Sequence, residues 1–447
     1  MNDSRIGLHV PEILLPGEGT DMQKWAVVAC DQYTSQPEYW ERAGRFVNQA
    51  PSTLNMILPE VFLETPKEAA LVSEINENMN RYLENNILIK QPPGFILVDR
   101  KTSTAVSRKG LVVALDLEHY DFQEGAGTLI RATEGTIMDR LPPRIKVRKN
   151  APVELPHIMV LIDDPGKTVI EPLFEKGFQK VYDFDLMMGS GHIRGFRVDD
   201  AAAINRIAEK LAILADPETF SRKYGVEDKP VLLYAMGDGN HSFATAKAIW
   251  EELKKEAGAS DKIMSHPARY ALVELVNLHD EGLEFEPIHR VMFGIETQDL
   301  IDAMHIFYAD QGSEISVASF NTITAAEAEA QKARQEGWHA VTFVSSESAG
   351  LLTIKNPNLT LEVATLQAFI DAYLESRSKV KIDYVHGKDV VLDLGKKPGN
   401  MGFFLEAMSK HDLFKTIILD GALPRKTFSM GAADEKRFYL EARKITA

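Results

Sequence analysis

The chain has 447 residues, 45% apolar and 26% charged, which suits an ordinary globular protein of two or three domains. A formal net charge of −15 argues against sequence-independent binding to phosphate backbones or anionic membranes, and the single cysteine, Cys30, excludes an intrachain disulfide framework and a cysteine-rich zinc site. No apolar run approaches the roughly 20 residues a membrane helix needs, and residues 1–16 lack the basic-then-apolar pattern of a secretory signal, so the expected location is the cytoplasm.

Short apolar runs alternate with amphipathic stretches, which predicts an α/β fold of mixed α+β character. Trp25–Ala29 reads as a buried strand, and Pro37–Ala43 opens a helix. Gly94–Val98 and Gly110–Leu115 read as neighbouring strands joined by a polar hairpin connection. His157–Ile162 is a further strand, closed by the turn Asp163-Asp164-Pro165-Gly166. Asp200 is an expected N-cap; Ile204, Ile207, Leu211 and Leu214 follow at helical spacing, and Pro217 is expected to end that helix. Val231–Met236 reads as a strand, Gly237–Ser242 as a tight loop, and the next helix runs to about Ala257 with Phe243, Ala246, Trp250 and Leu253 on its apolar face. Beyond it lie a strand from Tyr270, a helix over 297–308, a hairpin of Trp338–Val344 with Gly350–Ile354, a helix over 361–374 and a turn-rich stretch over 394–402. The boundaries divide the chain into 1–199, 200–294 and 295–447.

The segment Met236-Gly237-Asp238-Gly239-Asn240-His241-Ser242 leaves a strand and enters a helix. The first N–H groups of a helix lack intrahelical partners and attract anions, phosphates above all. Gly237 and Gly239 let the backbone turn and approach a ligand. Asn240 and Ser242 can cap the helix or bind an anion, Asp238 can hold a metal ion or orient a hydroxyl, and His241 can donate to a phosphate or move a proton near neutral pH. An ordinary capped turn has the same composition, so both readings stand on the residues alone.

This loop resembles the Asp-Gly-His-His-Arg motif of the domain of unknown function 1015 family. Asp238, Gly239 and His241 match; Asn240 stands at the first His, and Ser242 stands at the Arg. Other stretches resemble the family in the same order. They are Cys30-Asp31-Gln32-Tyr33, Glu134 and Thr136 with Asp139-Arg140-Leu141, Glu286–Arg290, Ile382-Asp383-Tyr384 and Leu423–Thr427. The resemblance implies a ParB/sulfiredoxin-like nucleotide-binding core with additional α/β regions, placed over 200–294. It also implies kinship with the free serine kinases, with ADP or ATP and Mg²⁺ as cofactors. The implied activity is transfer or removal of phosphate at a hydroxyl of a small, serine-like metabolite. Glu134, Asp238 and His241 are then the catalytic candidates, and Asp238 is the metal ligand. Gly237, Gly239, Asn240, Ser242, Arg131, Arg140, His289 and Lys426 are the cofactor-binding candidates. Lys426 stands in for the cation lost at Ser242.

Other features have plainer readings. Arg131, Arg140, Arg144, Lys146, Arg148 and Lys149 form a local basic concentration, suited either to a phosphorylated substrate or to pairing with surface acids. Gly189–Arg194 reads as a hairpin turn, Cys30 as a core thiol, and the histidines show no zinc spacing. A non-catalytic nucleotide-binding sensor is the alternative function. A DNA binder or nuclease is third, and the acidic charge disfavours it.

Overall fold

The computed structural model describes residues 2–34, 36–123, 125–135, 138–258 and 260–446, the side chains of Asn2 and Asp139 excepted. Thr136 and the Asp139 side chain, both in a motif named above, lie outside the described residues. The fold is mixed α/β. The chain forms two units, Met1–Glu284 with Met430–Ala447, and Phe285–Ser429. Among the described residues no helix is long and apolar enough to cross a membrane.

The main sheet of the first unit runs, in spatial order, Gln179–Asp185, His192–Val198, Phe95–Lys101, Arg108–Asp116, Tyr270–Asn277, Met159–Ile162, Tyr234–Asp238, Ile130–Arg131 and Tyr120–Asp121. The expected hairpin of the third and fourth strands is present, with Leu97 opposite Leu111. The glycine-rich stretch Gly189–Arg194 is likewise a hairpin element, its second strand paired antiparallel with Gln179–Asp185. Successive side chains of a strand point to opposite faces. Phe95 and Leu97 accordingly enter one core and Ile96 and Val98 another. Apolar residues at both parities therefore mark strands buried on both faces.

Three boundaries depart from the pattern, each for a local reason. Trp25, expected in a strand, ends a short helix, Met22–Trp25, because the Asp21 carboxylate caps the N–H groups of Gln23 and Lys24; only Val27–Val28 is strand. Pro217 starts a helix, Pro217–Tyr224, rather than ending one. Proline suits the first helical turn, where its missing N–H has no partner to lose. The strand expected at Val231–Met236 is shifted to Tyr234–Asp238, so Gly237 and Asp238 belong to the strand and Gly239 alone makes the turn. Asp200 does cap its helix, accepting from the Ala203 N–H at 2.8 Å.

The C-terminal stretch packs into the first unit. Phe438–Tyr439 pairs antiparallel with Val27–Val28, and Ala442–Lys444 pairs with Ile13–Pro16. Just ahead of the first pairing, the Arg437 guanidinium donates to the carboxylates of Glu274 and Glu441. All three residues are buried, and Tyr182 Oη donates to Glu441 at 2.6 Å. The second unit is built on a separate antiparallel sheet of six strands, ordered Glu314–Phe320, Ala349–Lys355, His339–Ser345, Asn400–Phe404, His289–Phe293 and Lys381–Val385. The hairpin expected of Trp338–Val344 with Gly350–Ile354 is present as His339–Ser345 paired antiparallel with Ala349–Lys355. The turn-rich stretch over 394–402 holds the end of one helix and the start of the Asn400 strand.

Removing one partner of a buried ion pair leaves the other charge uncompensated, at about 3–5 kcal/mol. Arg437→Ala is expected to lower the stability of the first unit by roughly that amount in urea unfolding. A loss under about 1 kcal/mol would show that Glu274 and Glu441 do not depend on it.

Candidate active site

Antiparallel pairing places the start of one strand beside the end of its neighbour. Met159 is registered opposite Asp238, so His157, two residues earlier, arrives at the turn that opens the Asn240–Ala257 helix. That turn needs glycine. Gly239 has φ +79°, and a Cβ there would come within 3.0 Å of Ile158 Cα. At Gly237 a Cβ would meet Met430 Cε at 2.9 Å. The helix is held by a face carrying Phe243, Ala246 and Trp250, all buried, with about 1.5–3 kcal/mol from burial of a large apolar side chain such as Phe243.

Three other stretches meet this turn. Pairing of Val27–Val28 with Phe438–Tyr439 brings Cys30 and Asp31 beside Lys436 and Tyr439, and Ala29 N donates to Arg437 O at 3.0 Å. Lys436 Nζ lies 3.3 Å from Asp238 Oδ2, and Asp238 Oδ1 accepts from the Gly239 N–H at 3.0 Å. Ser242 Oγ is 3.1 Å from His157 Nε2. His157 Nδ1 is 2.7 Å from Tyr439 Oη, which donates to Cys30 Sγ at 3.0 Å. Asp31 Oδ2 stands 3.8 Å from His157 Nε2. Burial opposes ionisation of Asp31, but His157, then the hydrogen bond from the Gln32 amide and then Lys436, more than offset it and hold its carboxyl below the ordinary value. Burial pushes the Cys30 thiol and the Tyr439 phenol up, so both are neutral near pH 7. The Oδ1 atom of Asn240 is buried and has no hydrogen-bond partner among the described residues.

A cavity of about 130 Å³ opens beside Ser242 and His157, lined by apolar side chains that include Met56, Leu58, Leu63, Met79, Val147 and Leu155. Its polar wall carries Glu60, which pairs with Arg144. Burial raises the Glu60 carboxyl, and Arg144 opposes the shift only in part.

The sequence candidates fall in different places. Gly237, Asp238, Gly239, Asn240, His241 and Ser242 form the turn and the first helical residues, as expected of a strand-to-helix junction. Glu134 is half-buried and follows Thr133, whose hydroxyl donates to Met236 O at 2.6 Å; that places the Glu134 segment along the same strand end. Arg131 is committed to the carbonyls of Thr128, Pro230 and Val231. Arg140 is exposed. The basic concentration is largely ion-paired: Arg144 with Glu60, Lys146 with Glu68, Arg148 with Glu154 and Lys149 with Glu252. His289 and Lys426 belong to the second unit; Lys426 is exposed on a loop, and His289 is buried in a strand.

A family model described as "Protein of unknown function (DUF1015)" matches residues 14–373. The chain belongs to that family. No curated protein matches it. Among solved structures, a conserved hypothetical protein from Pyrococcus furiosus matches at 12% identity with a TM-score of 0.36, over 74% of this chain and 90% of that one. A free serine kinase in complex with AMP matches at 12% and 0.38, over 75% and 91%. A mutant free serine kinase in complex with ADP matches at 10% and 0.39, over 75% and 92%.

Sequence reading of this DUF1015 chain overlooked His157, Lys436 and Tyr439 as site residues and gave Asp31 no role. His157 carried the one available signal: a histidine opening an apolar strand is placed at a sheet edge beside loops. Lys436 and Tyr439 lie in a stretch with no motif character, and only their strand pairing brings them in.

His289 has a structural role. Its Nδ1 accepts from the Leu405 N–H at 3.1 Å, and its ring packs edge-on against Phe404. Burial, with Lys388 and Arg290 nearby, lowers its pKa to about 4. The unfolded chain therefore binds a proton near pH 6.5 that the folded chain refuses until about pH 4. Stability from this group is full above pH 6.5 and falls as the pH drops towards 4, by about 3 kcal/mol. Unfolding midpoints at pH 7.5 and 4.5 are expected to differ less in His289→Gln than in the unsubstituted protein. Equal differences would refute the assignment.

Proposed function

We propose that the protein binds a nucleotide or another phosphorylated small molecule at the Asp238–Ser242 turn and transfers or removes a phosphoryl group there. The observation that carries this reading is Lys436, a largely buried ammonium 3.3 Å from Asp238 at a helix N-terminus. A phosphate oxygen at this turn meets a cation, the N–H groups of the first helical turn and a carboxylate able to share a cation, which is the equipment phosphoryl transfer requires. The nucleotide, and the ParB/sulfiredoxin-like character of the core, come from the motif resemblance described above.

The residues divide the work by chemistry. Lys436 and the N–H groups of Asn240, His241 and Ser242 hold phosphate oxygens. Asp31 and His157, 3.8 Å apart, receive the proton of an attacking hydroxyl. Glu134, on the adjoining segment, orients that hydroxyl. Asn240 Oδ1 is an acceptor for a ligand donor, and leaving it unmade costs about 1–3 kcal/mol. Among the described residues no group of three or more His, Cys, Asp or Glu side chains is arranged to hold a metal ion. Mg²⁺ is ordinarily held by one or two carboxylates together with substrate phosphates. Asp238 suits an ion that arrives with the nucleotide and supplies charge neutralisation. The sensor reading shares this site and differs only in lacking turnover.

ADP with Mg²⁺ at about 100 times its dissociation constant is expected to stabilise the protein by about 2.7 kcal/mol, read as a raised unfolding midpoint. Lys436→Ala and Asp238→Ala are each expected to remove the rise while keeping their ligand-free midpoints within a few degrees. If the rise survives both substitutions, the nucleotide does not bind at this turn. Binding without phosphate release from any donor leaves the sensor.

A further inference from the structure

Ser242, His157 and Tyr439 line one cavity and form one hydrogen-bonded chain. Its polarity is set from the far end. Cys30 N–H donates to Tyr439 Oη at 3.3 Å, and Tyr439 Oη donates to Cys30 Sγ. With the phenol proton directed at Cys30 Sγ, Tyr439 Oη is open to accept from His157 Nδ1–H, and the Nδ1–H tautomer is the one this chain suits. His157 Nε2 is then the unprotonated nitrogen, and it faces Ser242 Oγ at 3.1 Å. A hydroxyl hydrogen-bonded to a base, and a base oriented by a third group, constitute an activated nucleophile. Ser242 also stands in the first turn of the helix, where the positive end of the backbone dipoles can stabilise charge on an attacked centre. Asp31, 3.8 Å from Nε2, stabilises the imidazolium that forms.

The cavity beside this pair sets the class of substrate. At about 130 Å³ it compares with the roughly 150 Å³ apolar cavity that accepts benzene in an engineered protein. Met56, Leu58, Leu63 and Met79 present no charge, and the Glu60 and Arg144 side chains at its wall are paired with each other.

We propose that Ser242 carries the phosphoryl group covalently, taking it from phosphate esters whose organic part is a compact apolar group of about benzene size. The proposal rests on the phosphoryl-transfer reading above. In the first half-reaction Ser242 Oγ bonds to phosphorus as the bond from phosphorus to the leaving oxygen breaks. His157 Nε2 takes the hydroxyl proton and passes it to that oxygen, which departs as an alcohol or phenol. In the second, water or an acceptor hydroxyl attacks the phosphoserine, His157 takes its proton, and the P–Oγ bond breaks. Ser242 Oγ recovers that proton, and the chain returns to its starting state.

The test uses the full chain with Mg²⁺ and two donors, p-nitrophenyl phosphate and the smaller acetyl phosphate, quenched in acid and mapped by mass spectrometry. One phosphoryl group is expected on the peptide containing Ser242, together with release of nitrophenolate. Ser242→Ala is expected to lose the adduct and to slow release by roughly 10²–10⁴-fold, the range for loss of an acid–base-assisted step. Leu58→Trp, filling the cavity, is expected to abolish reaction with the nitrophenyl ester and to keep reaction with acetyl phosphate. Turnover that persists in Ser242→Ala without an adduct overturns the covalent role and leaves direct transfer. No reaction of either donor in a protein that still shows the ADP shift overturns the nucleophile while the nucleotide site stands. Adduct formation without any ADP shift upholds Ser242 and overturns the nucleotide. Loss of both donors in a folded Leu58→Trp overturns the substrate class alone.

Discussion

The site depends on one strand pairing: Phe438–Tyr439 against Val27–Val28. It brings residues some four hundred positions apart into hydrogen-bond contact, as the bond from Trp25 Nε1 to Leu440 O at 2.9 Å shows. Closing so long a loop is affordable, because the entropic penalty grows only logarithmically, by about 0.6 kcal/mol for each doubling of length. Burial of Phe438, Tyr439 and Leu440, at about 1.5–3 kcal/mol for each large apolar side chain, is ample to offset it. Without this pairing the Asp238 turn would keep its helix and its glycines. It would lose Lys436, the support beneath His157, and the partner of Cys30.

Charge explains why the pairing has one register. Arg437 sits directly between Lys436 and the Phe438–Tyr439 pair and is anchored to two buried carboxylates, Glu274 and Glu441. A slip of one residue would carry that guanidinium away from Glu274 on the Tyr270–Asn277 strand and leave that carboxylate without its partner, a penalty of several kcal/mol. The same alignment delivers Lys436 to Asp238 and Tyr439 to His157. A buried ion pair is weak evidence of net stabilisation. Here its effect is to select an alignment, and the polar groups of the site inherit their positions from it.

Much of the fold was legible because continuous apolar runs and helical spacing report which faces are buried, and the strands Phe95–Lys101 and Arg108–Asp116 and the Asn240 helix carry that record plainly. The Asp238–Ser242 turn was legible for a different reason: glycine, aspartate and asparagine are the residues that such a junction selects. Capping and proline placement were missed at Trp25 and Pro217, where one side chain or one ring overrides a longer apolar pattern. The rest of the site was hidden in principle. Composition displayed the cations from Arg131 to Lys149 but not the carbonyls and carboxylates that occupy most of them. It gave no reason to connect Lys436 with Asp238, because that relation exists only through sheet register.

The substitution at Ser242 can be understood in the same terms. Where the resembling motif carries Arg, the cation belongs to the helix and approaches phosphate from the first turn. Here the cation comes from the C-terminal stretch as Lys436, a compact ammonium rather than a planar fork. Two things follow from moving it. Charge at the turn now depends on docking of the last strand segment, so the proposed binding is coupled to the integrity of residues 430–447. The helical position is also released to a small hydroxyl, which fits within 3.1 Å of His157 where a guanidinium would not. Loss of the arginine thus need not be loss of chemistry. On the proposed reading it exchanges a phosphate-binding cation for a hydroxyl with a base beside it, 3.1 Å from His157, and a distant lysine restores the charge.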